Sequence, residues 1–242
     1  MADAALRAQV LATAPLSGPD WVRDAASIVL VIGSCLALDS LGLLWTQVLA
    51  GVLAWALLLL LLHRQTPAWR LTLVIATAFA LLAEALFSLG WGLYEYRLQN
   101  IPAYVPPAHT LLFMLGAGVA RRVPQRVITP LLLAFAAGAM LLTLSAISSF
   151  DGLLLAILLL VVRYGRQRRI YVMMLLIALA LELVGTSVGA WAWLPHAPGL
   201  ALSLHSPPLL AGVFYSLFDV YIMASARHLH RRQAALSAPA TS

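Results

Sequence analysis

The sequence predicts an all-α integral membrane protein, with about eight transmembrane helices arranged as two parallel four-helix repeats. Three observations carry that expectation. The first is composition: of 242 residues, 62% are hydrophobic and 10% charged, and mean hydropathy is +0.93, whereas soluble domains carry about 25% charged residues. So much apolar surface cannot be hidden in one small core, because a domain of this size keeps a large part of its surface in solvent. A soluble globular enzyme and a disordered chain are both excluded. The second is a series of apolar runs close to the ~20 residues that a helix needs to cross a bilayer. The third is that the two halves of the chain repeat their features in the same order.

The runs lie at 26–41, 44–62, 70–92, 107–121, 127–147, 152–165, 170–193 and 208–227. The first two form one stretch too long for a single span, and Asp39, Ser40 and Gly42 mark a tight hairpin turn between them. Pro106-Pro107 and Pro207-Pro208 fit helix starts, where a missing N–H costs little. The chain divides into a cytoplasmic segment (1–25), a first repeat (26–121), a basic linker (122–126), a second repeat (127–232) and a disordered cytoplasmic tail (233–242). The first twenty residues suit a surface helix and show no signal-peptide pattern, so the first span serves as its own targeting signal.

All fifteen basic residues are Arg. With eight alternating spans, fourteen fall on one side and only Arg97 on the other, which places both termini in the cytoplasm of a bacterial-type inner membrane. This clustering between apolar runs suits topology and lipid headgroups, including His228 and His230 in the basic C-terminal stretch, and no nucleic-acid partner is expected. The single Cys35 excludes a disulfide framework and a cysteine metal site.

In the first half, a basic loop leads into a helix carrying Glu84, with Ser88 at i+4, then Gly90, Gly92, Tyr94, Tyr96 and Pro106-Pro107. In the second, Arg163 to Arg169 lead into a helix carrying Glu182, with Thr186 at i+4, then Gly185, Gly189, Trp191, Trp193 and Pro207-Pro208. Counted at 1.5 Å per residue, both glutamates lie roughly 20 Å from the cytoplasmic face. Asp219 lies at similar depth on a helix running back. Ionisable residues so deep face the protein interior and mark functional sites by default, although a neutral carboxyl can also bridge helices, with Ser88 or Thr186 as local partners. Desolvation favours a neutral carboxyl, and a neutral acid in a dry site is a proton donor. Glu84, Glu182, Asp219 and His109 are therefore the candidate catalytic groups.

Phe87 and Trp91 share the face of Glu84 at i+3 and i+7, with Tyr94 and Tyr96 above; Trp191 and Trp193 stand above Glu182. These rings, with Tyr215, either form an interfacial belt or turn inward to bind substrate and stabilise a cation. Gly185 and Gly189 suit close helix packing. His109 and His205 would complete a two-histidine, two-carboxylate metal set with the glutamates, but no HxxH or ExxH spacing supports one. Neither metal nor other cofactor is expected. Asp39 and Asp151 read as turn residues.

The pattern Glu182-x-x-Gly185-x-x-x-Gly189-x-Trp191-x-Trp193 resembles a stretch of the membrane carotenoid-biosynthesis hydratases, which runs Glu, two residues, Gly, three residues, Gly, then Tyr-x-Tyr and a later Pro. Glu84, Gly90, Gly92, Tyr94, Tyr96 and Pro106 give a second copy with altered glycine spacing. The likeness implies addition of water across a terminal double bond of a carotenoid. Glu84 or Glu182 with Asp219 is also similar in kind to the buried acids of integral-membrane terpene cyclases. The expectation is thus a lyase- or isomerase-type enzyme of isoprenoid lipids, with a lipophilic substrate and membrane lipids as partners and a homo-oligomer compatible with both. A proton-coupled transporter of a small solute and a non-catalytic lipid-binding or assembly protein are the alternatives.

Overall fold

The structure, a computed structural model, describes residue 10, residues 12–165 and residues 167–237. Eight helices and two short strands are present among these residues. Helix α1 (Trp21–Asp39) and helix α2 (Leu44–His63) make the expected hairpin. It turns through Gly42, whose φ of +68° suits glycine. Asp39 does more than make the turn: it is buried at the end of α1 and accepts a hydrogen bond from Gln47 Nε2 at 2.8 Å, which ties the two helices together.

Helix α3 (Pro67–Glu84) starts where Thr66 Oγ1 accepts the N–H of Trp69 and Pro67 opens the first turn. It runs on as a π-helical segment, Ala85–Gly90, in which Trp91 N–H donates to Leu86 O. Strand β1 (Tyr94–Tyr96) follows, then helix α4 (Val105–Ala120), with Pro106 and Pro107 in its first turn as expected. The second half continues with α5 (Gln125–Leu144), α6 (Ser149–Tyr164), α7 (Arg168–Ser187), strand β2 (Trp191–Trp193) and α8 (Gly212–Ser237).

Segments Trp21–Asp39, Leu44–His63, Pro67–Gly90, Gln125–Leu144 and Arg168–Ser187 are each long and apolar enough to cross a membrane. Large apolar side chains such as Leu30, Trp45, Leu82, Leu133 and Leu160 stand exposed on the outside of the bundle. An apolar exterior of this extent is what a multi-pass membrane protein presents to lipid.

Helices α3, α4, α7 and α8 form the centre. α3 packs on α4 and α8, and α7 packs on α8 and α4. The α1–α2 hairpin lies against α4, while α6 packs on α8 and α5 on α7. At the α7–α8 crossing the backbones come close: a Cβ on Gly212 would lie 2.7 Å from Leu175 Cα. At the Arg-rich end, Arg121 and Arg122 donate to the carbonyls of Ala14, Pro15 and Leu16. Val10, Ala14 and Leu16 are thereby buried across the helix ends.

Four expectations need correction here. The apolar run 170–193 is not one helix: α7 stops at Ser187, and Trp191 and Trp193 lie on β2. Pro207-Pro208 does not open a helix, since α8 begins at Gly212. Residues 233–237 continue α8 rather than lying in a disordered tail, and 238–242 lie outside the described residues. His230 is buried, with its ring against Trp69 and Nδ1 near Ala226 O, rather than facing lipid headgroups. Of the proposed N-terminal surface helix, residues 1–9 and 11 lie outside the described residues.

Candidate functional site

The site is built where α3 and α7 end. After each helix the chain turns back through a positive-φ glycine, Gly92 at +72° and Gly189 at +69°, and enters a three-residue strand. The strands pair antiparallel, with Tyr94 opposite Trp193, Glu95 opposite Ala192 and Tyr96 opposite Trp191. Because side chains alternate across a strand, residues 94 and 96 share one face, as do 191 and 193. All four rings are buried, while Glu95 and Ala192 are exposed.

Each pair of rings closes on the glutamate of its own half. Tyr94 and Tyr96 hydroxyls donate to Glu84 Oε2 at 2.7 and 2.6 Å. Trp191 and Trp193 indole N–H groups donate to Glu182 Oε2 at 2.8 and 2.9 Å. Burial first, and the Glu84 carboxyl second, push the Tyr94 and Tyr96 phenols well above their ordinary range, so both stay protonated donors. Thr186 is not a side-chain partner of Glu182; its hydroxyl donates to the main-chain carbonyl of that residue.

The two cradles differ in what remains. Glu84 Oε1 lies 3.2 Å from His109 Nε2. His109 Nδ1 lies 3.0 Å from Val105 O, which can only accept, so Nδ1 carries a hydrogen. Nε2 and Oε1 face each other across the 3.2 Å between them, close enough to exchange a proton. The imidazole also stacks on Tyr215, with centroids 4.9 Å apart and planes at 4°. Glu182 Oε1, by contrast, has no hydrogen-bond partner among the described residues.

Glu84, Glu182, His109, Phe87, Tyr94, Tyr96, Trp191, Trp193 and Tyr215 all line one cavity of about 310 Å³. Tyr104, Phe214 and Phe218, which sequence reasoning missed, line it too. The spacing of Phe214 and Phe218 at i, i+4 beside Tyr215 was the available signal.

Two candidates are not brought to the cavity. Asp219 is fully buried on α8, one turn beyond Tyr215, but it does not line the chamber, and neither carboxyl oxygen has a partner among the described residues. Of the three candidate catalytic acids, two therefore meet at the cavity. Trp91 lies outside as well, with its Nε1 donating to Pro198 O at 2.8 Å over the top of the site. The π-helical turn breaks the i+7 relation that placed Trp91 on the face of Glu84.

Gly185 serves the site rather than helix–helix packing: a Cβ there would fall 2.0 Å from the Trp191 ring. Gly189 faces the Arg97 guanidinium. Arg97 in turn donates from its main-chain N–H to Ala190 O at 3.0 Å and from its side chain to Val188 O, stitching the two turns together. Asp151 accepts the N–H groups of Leu209 and Leu210 at 3.3 and 2.8 Å and so anchors the connection that leads into α8. Among the described residues no three His, Cys, Asp or Glu side chains are grouped to hold a metal ion, and His205 Nδ1 instead lies near Pro207 O.

The arrangement can therefore move protons in an apolar chamber: a facing carboxyl and imidazole at Glu84–His109, one carboxyl oxygen at Glu182 left for a ligand, and aromatic faces between them. No protein-family model, curated protein or solved structure matches the chain.

Proposed function

We propose that the protein is an integral-membrane enzyme that performs acid–base chemistry on a carbon–carbon double bond of an isoprenoid or carotenoid-like lipid. One observation carries this reading: two glutamates, each gripped through a single oxygen by a pair of aromatic donors, flank one apolar cavity. Glu182, protonated on Oε1, gives its proton to one alkene carbon; the π pair forms the new C–H bond, and the neighbouring carbon becomes cationic. The faces of Tyr94, Tyr96, Trp191 and Trp193 and the adjacent carboxylates stabilise that cation. The Glu84–His109 pair, entering as carboxylate and neutral imidazole, then takes a proton, either from a water that attacks the cation, giving hydration, or from a carbon after a second double bond has attacked, giving cyclisation, and that proton returns to Glu182 before the next turnover.

The test is lipid and pigment mass spectrometry of cells carrying the wild-type gene, no gene, Glu84→Gln or Glu182→Gln. A product heavier by one water indicates hydration, and one of equal mass with shifted retention indicates cyclisation. Both amide variants should lose it while still inserting in the membrane; full product from both ends the reading.

A second reading, proton-coupled transport of a small solute, is favoured by Asp219, a buried carboxyl without a partner among the described residues, one helical turn beyond the cavity-lining Tyr215. Solute flux in proteoliposomes that collapses in Asp219→Asn, with no change in cell lipids, would select it.

We also infer that all eight helices span an inner membrane as two parallel four-helix repeats, with both termini cytoplasmic. Matching neighbour pairs support this: α1–α2 with α5–α6, α3–α4 with α7–α8, and α3–α8 with α7–α4. So do the matched glutamate cradles and the partition of the arginines.

A further inference from the structure

We propose that the seam between α3 and α8 carries a lateral window through which a long hydrocarbon chain of a membrane lipid passes from the bilayer, so that only its end group reaches the glutamates. This rests on the cavity being a substrate site, as proposed above, but not on which reaction occurs there.

Most lining side chains are buried or half-buried. The exposed ones are Phe79, Leu82, Leu86 and Leu217, all apolar and all on α3, its π-helical extension or α8. Leu82 is 67% exposed, Leu86 59% and Leu217 43%, so the chamber meets the outside along one short stretch of a single seam. Aromatic contacts close that seam above and below. Phe87 meets Phe214 with ring centroids 4.8 Å apart, and Phe79 stacks on Tyr221 at 4.4 Å and on Phe218 at 5.9 Å. Phe79 and Phe87 are eight residues apart, a gap of about 12 Å at helical rise. The π-helical turn begins within this gap, where such turns commonly serve function.

The opening lies in the C-terminal half of the long apolar segment Pro67–Gly90, among its apolar residues rather than beyond its end. What comes through it is therefore a lipid chain rather than a polar solute. Volume fixes how much enters. A cavity of about 310 Å³ is about twice the ~150 Å³ that accommodates benzene, room for about ten carbons, or two isoprene units. The rest of a longer chain stays in the bilayer, with Leu82, Leu86 and Leu217 around it. Recognition then reads the last two units of the chain and tolerates any length beyond them.

The experiment uses the purified full chain in lipid nanodiscs and a geranylgeranyl-length isoprenoid hydrocarbon carrying a diazirine at its terminal carbon. A second probe carries the diazirine at mid-chain, and crosslinks are mapped by peptide mass spectrometry. Read to the individual residue by fragmentation of the labelled peptides, the terminal diazirine should label at Glu84, Glu182 or Trp193, and the mid-chain one at Leu82, Leu86 or Leu217. Leu86→Trp and Leu217→Trp, each filling the window from one side, should lower terminal labelling about tenfold. Leu89→Trp, at an exposed residue that does not line the cavity, should leave it unchanged. Undiminished terminal labelling in both window variants, or labelling centred on residues 195–210 at the outer end, overturns the proposal. Window-dependent labelling without product in the mass-spectrometric assay supports the window and ends the assigned chemistry.

Discussion

Replacing Glu182 by Ala removes the acceptor of two buried indole N–H groups at once. Trp191 and Trp193 are 8% and 7% exposed, and each donates to the same oxygen. A buried donor left without a partner costs about 1–3 kcal/mol, so the pair costs about 2–6 kcal/mol. For a chain of this length that corresponds to a fall in Tm of roughly 5–20 °C. Glu182→Gln is the control, because its amide oxygen can accept both N–H groups and the shape is nearly unchanged; its cost should stay below about 1 kcal/mol. Thermal unfolding followed by tryptophan fluorescence in nanodiscs reads both variants, and the freed indoles should also shift the emission in Glu182→Ala. Equal melting of the Ala and Gln variants, or no loss in Glu182→Ala, would refute the view that this carboxyl organises the two rings. Separating Gln from Ala also lets a loss of product in Glu182→Gln be assigned to chemistry rather than to collapse.

Other perturbations test neighbouring parts of the account. Gly185→Ala drives a methyl into the Trp191 ring and should cost about 1–3 kcal/mol from overpacking, with the same fluorescence shift as Glu182→Ala. Asp151→Ala strips the acceptor from two main-chain N–H groups at Leu209 and Leu210 and should cost about 2–5 kcal/mol; hydrogen exchange should rise first in residues 207–212. Asp219→Asn, at a carboxyl without partners among the described residues, should leave Tm unchanged or raise it, since no other group loses a hydrogen bond and a buried ionisable group is removed. A Tm loss of more than about 2 kcal/mol equivalent there would mean that Asp219 has a structural partner.

The helical architecture was readable because its signal is long. Apolar runs bounded by Arg pairs and prolines located α2, α4, α5 and α6 closely, whereas the run for α1 began late and the runs for α3 and α7 overran their α-helical ends. The two glutamates stood out because a charge inside such a run is costly. The cradles were harder to read. Tyr94, Tyr96, Trp191 and Trp193 sit on three-residue strands, and so short a stretch carries no periodicity to separate it from the helix before it. Their pairing is a contact between strands far apart in the sequence, set by Arg97 and two positive-φ glycines rather than by local pattern. Trp91 was misplaced because straight 3.6-residue counting fails across a π-helical turn. Asp219 was misplaced because depth in the membrane fixes height but not the direction in which a side chain points. Gly185 carried a helix-packing signature although the neighbour it admits is an indole ring from its own half.

The central claim is that Glu84 and Glu182 open onto one apolar chamber from which Asp219 is sealed. The most direct measurement is carboxyl modification of the protein in nanodiscs by dicyclohexylcarbodiimide, an apolar reagent for protonated carboxyls, with sites mapped by peptide mass spectrometry. The account predicts modification of Glu182, enhanced reaction of Glu84 in His109→Ala, protection of both by an isoprenoid hydrocarbon, and an unmodified Asp219. Modification of Asp219 with both glutamates untouched would contradict it.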